Sequence, residues 1–169
     1  KILDLGAVND FDAEIHTPSQ GDFFNFIKDA EFIGGHNIVN HDLKYLAHLD
    51  LGKKKIVDTL YLSPLMFPMR PSHKLLKDEK ILSDALNNPL LDAQKSRDLF
   101  YDEVNAFKAL DDDLKTIYFS LLKDSAEFKG FFEFLGYIIP TKGILRIFQG
   151  NSENKNTAKL IKKRFVGSI

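Results

Sequence analysis

Apolar residues in the first part of the chain follow two kinds of pattern. Short apolar runs bounded by turn residues predict strands over residues 2–8, 11–16 and 32–33, and residues 56–63 predict a strand that runs into a helix. Between and after these runs, apolar residues recur at every third or fourth position, which is the spacing of one buried helix face. Strands that alternate with helices in this way predict an α/β fold.

Two stretches with helical spacing are rich in phenylalanine. The first, residues 23–27, carries three phenylalanines and follows Asp22, which is expected to cap the helix. These rings are expected in the core, and a base-stacking platform is the alternative. The second stretch, residues 114–135, follows three consecutive acids at residues 111–113, which are expected to cap a helix rather than to bind metal.

Composition narrows the class of protein. A chain of 169 residues with 44% hydrophobic content can bury one good core with an appended helical piece. There are no cysteines, so disulfides and thiolate metal sites are excluded and a reducing cytoplasm is the predicted location. No apolar run approaches membrane-spanning length, so no membrane partner is expected.

Charge is distributed unevenly along the chain. Seven basic residues and one acid lie within residues 142–164, whereas the whole chain has a net charge of -1. A basic tail can contact nucleic-acid phosphates, and we assign that role to Lys162, Lys163 and Arg164. The alternative is that these side chains form a solvated helix face.

Polar side chains gather where the apolar run at residues 32–33 ends in two glycines. The segment from His36 to Asp42 carries two histidines, two asparagines and one acid. Helical spacing follows, so Asp42 is predicted at a strand-to-helix junction, where open α/β sheets bind their ligands. A carboxylate beside imidazole and amide groups suits a hard cation such as Mg²⁺. The alternative is that Asp42 only caps the helix.

The spacing of these residues resembles a known motif. His36-Asn37, then Asp42 five residues after the asparagine, and then two leucines resemble the second motif of the DEDD superfamily of DnaQ-like 3′-to-5′ exonucleases. The resemblance implies that Asp42 binds Mg²⁺ or Mn²⁺ and that Asn37 lies beside the substrate strand, with His36 and His41 as further nucleic-acid-binding residues. It also implies a ribonuclease H-like mixed sheet flanked by helices.

Two segments compete for the family's third motif, in which a His or Tyr precedes a metal-binding Asp. His73 and Asp78 have the spacing of the histidine branch, whereas Asp92 opens a helix, where the family's last Asp lies. Helix position favours Asp92 as the second catalytic metal ligand. On that alignment Asn87 and Asn88 stand near the position of the general base, and an amide cannot take a proton from water at neutral pH.

The first motif, Asp-x-Glu, has only a weak candidate. Asp12 and Glu14 have the spacing but lie on a predicted hairpin, too near Asp42 for the elements that separate the first two motifs. The resemblance places the motif on a strand before Lys1, which suggests that the chain is a fragment of a longer protein and inactive by itself. Asp58 is expected to be a cap or turn residue.

Residues 71–75 and 86–93 also resemble the exonuclease-like segment ahead of some bacterial RecQ-like helicases. We therefore predict an exonuclease-like domain over residues 1–110, and over residues 111–169 a helical extension or linker to a following module. The implied function is metal-dependent phosphodiester hydrolysis, in the complete protein, by a helicase-linked domain that binds single-stranded DNA. The alternatives are a degenerate fold that binds nucleic acid without cutting it, and a helical protein-interaction module with residues 119–135 as its contact surface.

Overall fold

The computed structural model describes residues 4–46, 51–75 and 88–139, which contain both strands and helices. The strands are β1 (Leu5–Val8), β2 (Glu14–Thr17), β3 (Phe32–Gly35) and β4 (Lys55–Asp58). The helices are α1 (Gln20–Ile27), α2 (Asp42–Leu46), α3 (Thr59–Met66), α4 (Pro89–Lys108), α5 (Asp112–Leu122) and α6 (Ala126–Leu135). This content confirms the predicted α/β class, and the ribonuclease H-like topology stays a prediction.

Strands β1 and β2 form an antiparallel hairpin in which Leu5 pairs with Thr17 and Val8 pairs with Glu14. The strand predicted from residue 11 begins three residues later than expected, at Glu14. The reason is the Asn9 side chain, whose oxygen accepts hydrogen bonds from two backbone N–H groups of the turn, at 2.9 and 3.0 Å. These bonds hold residues 9–13 in a turn.

Strands β3 and β4 pair in parallel, with Phe32 opposite Lys55 and Gly35 opposite Asp58. A parallel pair needs a crossover connection, and the segment that contains α2 provides it. The carboxyl ends of both strands therefore meet at one edge. The candidate polar segment after Gly35 and the N-terminus of α3 lie at this edge.

Helix α1 covers the hairpin with the apolar side chains of Phe23 and Ile27, which are buried in a cluster with Leu46. The prediction that Asp22 caps this helix was wrong. Ser19 is the cap, and its hydroxyl oxygen accepts from the backbone N–H of Asp22 at 3.2 Å. Asp22 instead lies in the first turn, where a negative charge favours the helix dipole.

Helix α4 begins at Pro89 after an Asn88 cap, so Asp92 lies in its first turn rather than at its start. The helix packs beside β1, and Gly6 makes the close approach, since a Cβ there would lie 2.3 Å from the Leu90 nitrogen. Arg97 extends the contact to the hairpin turn, bonding Asp12 at 2.7 Å.

None of the helices in the described ranges is long and apolar enough to cross a membrane.

The main core joins β4, α3 and α4 to the two helices that follow. Phe107 makes edge-to-face contacts with Phe131 and Phe132, at 5.5 and 5.8 Å between ring centroids. Both partner rings are buried, so these phenylalanines of the 119–135 segment pack inside the domain rather than on a contact surface. The predicted division at residue 110 falls within this cluster.

Asp111 caps α5 by accepting from the Leu114 N–H at 2.9 Å, as the acidic triplet predicted.

Helix α6 meets β4 backbone to backbone at Gly130. A Cβ on this glycine would lie 2.0 Å from the carbonyl oxygen of Ile56, which neither the strand nor the helix can avoid without moving. The absence of a side chain at Gly130 therefore sets the distance between the helix and the sheet.

We expect Gly130→Ala to lower the free energy of unfolding by about 2 kcal/mol or more, because the new methyl group overlaps the β4 backbone. Urea unfolding measures the change. Gly21→Ala is the matched control, since its nearest neighbour is the Ser19 hydroxyl at 3.9 Å. That variant should stay within about 0.5 kcal/mol of the wild type or gain stability. Equal losses in both variants would contradict the contact.

Candidate functional site

A fully buried carboxylate organises the edge where β3 and β4 end. Asp58 accepts from the backbone N–H of Leu60 at 2.9 Å, which caps α3. It also accepts from the N–H groups of Asn37 at 2.8 Å and Val39 at 3.1 Å, which belong to the loop after β3. The prediction that Asp58 is a cap residue is confirmed. Its second role, holding the neighbouring loop, was not predicted.

The loop after β3 is held at several points. Asn37 has a φ of 64°, in the left-handed region that asparagine tolerates better than most residues. The His41 N–H then donates to the Asn37 carbonyl at 2.9 Å, and Ile38 is buried against Gly35, where a Cβ would lie 3.0 Å from the Ile38 side chain. The loop therefore presents its polar side chains from a defined backbone.

His36 is a half-buried histidine at the centre of this edge. Its Nδ1 lies 2.9 Å from the Thr59 hydroxyl, which donates to the Gly35 carbonyl at 3.4 Å. With the Thr59 hydroxyl proton on the Gly35 carbonyl, the Nδ1 of His36 carries the imidazole proton and Nε2 is left as an acceptor. Burial lowers the pKa of His36, and the nearby carboxylates of Asp58 and Asp92 oppose that shift. A neutral imidazole that can accept a hydrogen bond or a proton is the result.

Asp42 is the first residue of α2, and its carboxylate is exposed. In the described part of the chain its hydrogen-bond partner is the Nδ1 of His41, at 3.3 Å. The ring of Tyr45, one helical turn further on, is 52% exposed and contacts the His41 ring edge-on at 5.7 Å between centroids. An acid and one accessible ring thus lie on one short helix, and a second accessible ring directly precedes it.

Asp92 reaches the same edge from α4. It is half-buried in the first turn of that helix, close enough for its charge to act on His36. The Asn88 side chain, considered above near the general-base position, accepts from the N–H groups of Leu90 and Leu91 and so caps the helix. Asn87 lies outside the described residues.

The donor set at this edge is incomplete for a metal site. Within residues 4–46, 51–75 and 88–139, no group of three or more His, Cys, Asp or Glu side chains could hold a metal ion. Mg²⁺ prefers an octahedron of oxygens, and it usually binds through one or two carboxylates with waters and phosphate oxygens. Asp42 and Asp92 each supply one carboxylate of this kind, and the predicted Mg²⁺ or Mn²⁺ stays a prediction.

Other candidates lie elsewhere. The first-motif candidates, Asp12 and Glu14, face α4, since Asp12 pairs with Arg97 at 2.7 Å and Glu14 accepts from the Gln94 amide. His73 bonds the Ser63 hydroxyl of α3 through Nδ1 at 2.9 Å. The remaining candidates, Asp78, Lys162, Lys163 and Arg164, are outside the described residues.

The sequence did not predict three side chains that lie at this edge: Tyr45, Thr59 and Tyr61. The hydroxyl of Tyr61 accepts from the Asn40 amide at 2.9 Å, and Thr59 orients His36. Both lie on α3 and contact the loop only because β3 and β4 are adjacent, so no local pattern marks them. Tyr45 had a local signal, because an aromatic residue three positions after an exposed acid shares its helix face.

Comparisons of this chain with protein-family models, with curated proteins and with solved structures return no match. The function is therefore inferred from the site.

Helix α4 carries a second fully buried acid besides Asp58. Glu103, in the second half of α4, is fully buried, and neither of its carboxyl oxygens has a hydrogen-bond partner among the described residues. Burial raises the pKa of Glu103 from 4.5 to about 9, the Arg70 guanidinium lowers it, and the charges of Asp58 and Asp102 raise it. Glu103 is therefore protonated at neutral pH.

We expect Asp58→Ala to lower the free energy of unfolding by about 3 kcal/mol, because three backbone N–H groups lose their acceptor. Asp58→Asn retains one side-chain oxygen and should lose less. Asp42→Ala is the control and should change stability by no more than about 0.5 kcal/mol, since its carboxylate is exposed. Urea unfolding of the three variants makes the comparison. A large loss in Asp42→Ala would instead make that residue structural.

We also expect the wild-type chain to lose stability as the pH rises from about 5 to about 8. In this range the folded state keeps the Glu103 proton, whose pKa is about 9, and the unfolded state has lost it. The contribution approaches about 1.4 kcal/mol per pH unit. Glu103→Gln has no proton to lose, so its stability should depend less on pH by that amount. Parallel slopes for the two proteins in urea unfolding at several pH values would contradict a neutral Glu103.

Proposed function

We propose that this chain is a DEDD-type, DnaQ-like 3′-to-5′ exonuclease-fold domain of a DNA-processing, helicase-linked protein, and that it binds the end of a single strand at the carboxyl edge of β3 and β4. The observation that carries the proposal is that the charge of Asp92 acts on His36 at the edge where β3 and β4 end. These residues are far apart in sequence, and they come from the two segments that resemble the second and third exonuclease motifs.

The chain's own residues suit a strand end. The Nε2 of His36 accepts a hydrogen bond from a sugar hydroxyl. The Asn37 backbone is held by Asp58, so its side chain has a fixed origin. Tyr45 and His41 offer accessible rings on which a base can stack. None of these contacts needs a particular base, which suits an enzyme or binding domain without sequence preference.

Asp42 and Asp92 are the residues that would hold Mg²⁺ or Mn²⁺. Such ions, when bound in a pair, lower the pKa of water and stabilise the leaving oxygen of a phosphodiester. Two carboxylates are too few for a pair of ions, so hydrolysis in the complete protein requires further acids of the Asp-x-Glu type. Neutral His36 orients the strand end beside the carboxylates.

A non-catalytic domain that binds nucleic acid is the second candidate. It is favoured by the lack of a group of three potential ligands in the described residues and by the use of Asn88 as a helix cap. Both candidates use the same edge for the strand and differ in whether a phosphodiester is cut.

We expect the purified 169-residue chain to have no appreciable nuclease activity with Mg²⁺ or Mn²⁺, because its described donor set is incomplete. A labelled single strand, resolved by length after incubation, provides the assay. Robust metal-dependent shortening from the 3′ end, lost in Asp42→Ala, would show that the chain holds a complete site. Shortening that survives Asp42→Ala would indicate a contaminant.

We expect Tyr45→Ala to weaken binding of a fluorescent single strand about tenfold, since the loss of one stacked base costs about 1–3 kcal/mol. Phe11→Ala is the matched control, because Phe11 is 89% exposed at the hairpin turn, away from the edge. Anisotropy at low salt measures both variants. Unchanged affinity in Tyr45→Ala, or equal losses in the two variants, would remove α2 from the binding site. No binding by the wild type would contradict both candidate functions.

A further inference from the structure

The opposite edge of the β3–β4 pair, where the two strands begin, carries a pocket of about 350 Å³. This volume is within the range of about 300 to 1,000 Å³ that holds small ligands in proteins. Helix α1, the segment before β3 and the segment before β4 form its walls. Its lining includes Phe24, Lys28, Glu31, Leu51, Lys53 and Lys54.

Positive charge dominates this pocket. The Lys54 ammonium is fixed, because it donates to the backbone carbonyls of Lys28 at 2.6 Å and Ala30 at 2.7 Å. Neutral carbonyls leave its charge uncompensated. The Lys28 and Lys53 ammonium groups have no carboxylate partner in the described part of the chain. Among the described residues of the lining the one acid is Glu31, which is paired with Lys55 at 2.8 Å.

The pocket also has an apolar wall. Phe24 and Lys28 are four residues apart on α1 and therefore share one helix face, whereas Phe23 and Ile27 face the core. Phe24 is half-buried and lines the pocket, with Leu51 on the other side. The structure thus separates the neighbouring phenylalanines into a core residue and a pocket residue.

We propose that this pocket binds a nucleoside phosphate, with the phosphate on Lys28 and Lys53 and the base against Phe24. Ammonium groups attract any anion, but an aromatic ring next to them favours a ligand that joins a flat ring to an anionic group. A nucleoside phosphate, free or as one unit of a strand, has both parts. The pocket lies about 13 Å, the length of one strand, from the edge where β3 and β4 end. The proposal for the pocket does not depend on the function proposed for that edge.

The test is an NMR titration of the full chain with thymidine monophosphate, followed through the backbone amides of Gly52 and Lys53. We expect these amides to shift, and the Kd to rise at least fivefold in Lys28→Gln/Lys53→Gln. Thymidine, which lacks the phosphate, should bind more weakly. Phe24→Leu should weaken binding of the monophosphate and leave that of inorganic phosphate unchanged. Lys108→Gln/Lys129→Gln removes two charges elsewhere and should behave as wild type.

The proposal is overturned if the Gly52 and Lys53 amides do not move, or if the Lys108/Lys129 control loses as much affinity as the Lys28/Lys53 variant. An oligonucleotide identifies the source of the ligand. If the strand occupies the pocket, it displaces the monophosphate, and the log-log salt slope of its binding falls by about 1.4 in Lys28→Gln/Lys53→Gln. If the monophosphate shifts these amides and the strand does not displace it, the ligand is a free nucleotide.

The experiments test the proposed function and the pocket proposal independently. A Tyr45→Ala variant that binds the strand normally counts against the proposed function and leaves the pocket standing. If the Gly52 and Lys53 amide signals do not shift in the titration, the pocket proposal is wrong and the proposed function is unaffected.

Discussion

The arrangement of the edge where β3 and β4 end depends on the buried carboxylate of Asp58. One side chain supplies the cap of α3 and two acceptors for the loop after β3, so the helix and the loop have fixed positions relative to each other. Burial of a carboxylate is costly, and three backbone N–H donors offset that cost. The loop's left-handed residue, Asn37, is bonded directly to this carboxylate, so the strain and its compensation lie side by side.

Helix α4 connects this edge to the rest of the domain. Its first turn carries Asp92, whose charge acts on His36, its second half buries Glu103, Val104 and Phe107, and its Arg97 bonds the hairpin. The close approach at Gly6 brings the start of the helix against β1. A change at this contact would therefore alter the position of Asp92, although Gly6 belongs to no predicted motif.

The sequence predicted the elements better than it predicted the contacts between them. Local periodicity identified the hairpin, the strand before Asp58 and the late helices, because each depends on residues within a few positions. Errors occurred where a short polar side chain decided the boundary, as Asn9 does in the turn and Ser19 does at α1. The pairing of His36 with Thr59 and the clamp of Asp58 on Asn37 span more than twenty positions, so only the adjacency of β3 and β4 reveals them.

Glu103 carries a proton that the unfolded chain cannot hold at neutral pH. Unfolding therefore releases this proton into the solvent, and the buffer takes it up with its own heat of ionisation. The calorimetric enthalpy of unfolding of this domain consequently contains a contribution that differs between a phosphate buffer and an amine buffer at the same pH. The exposed acids contribute little to that difference, because they are already ionised in both states.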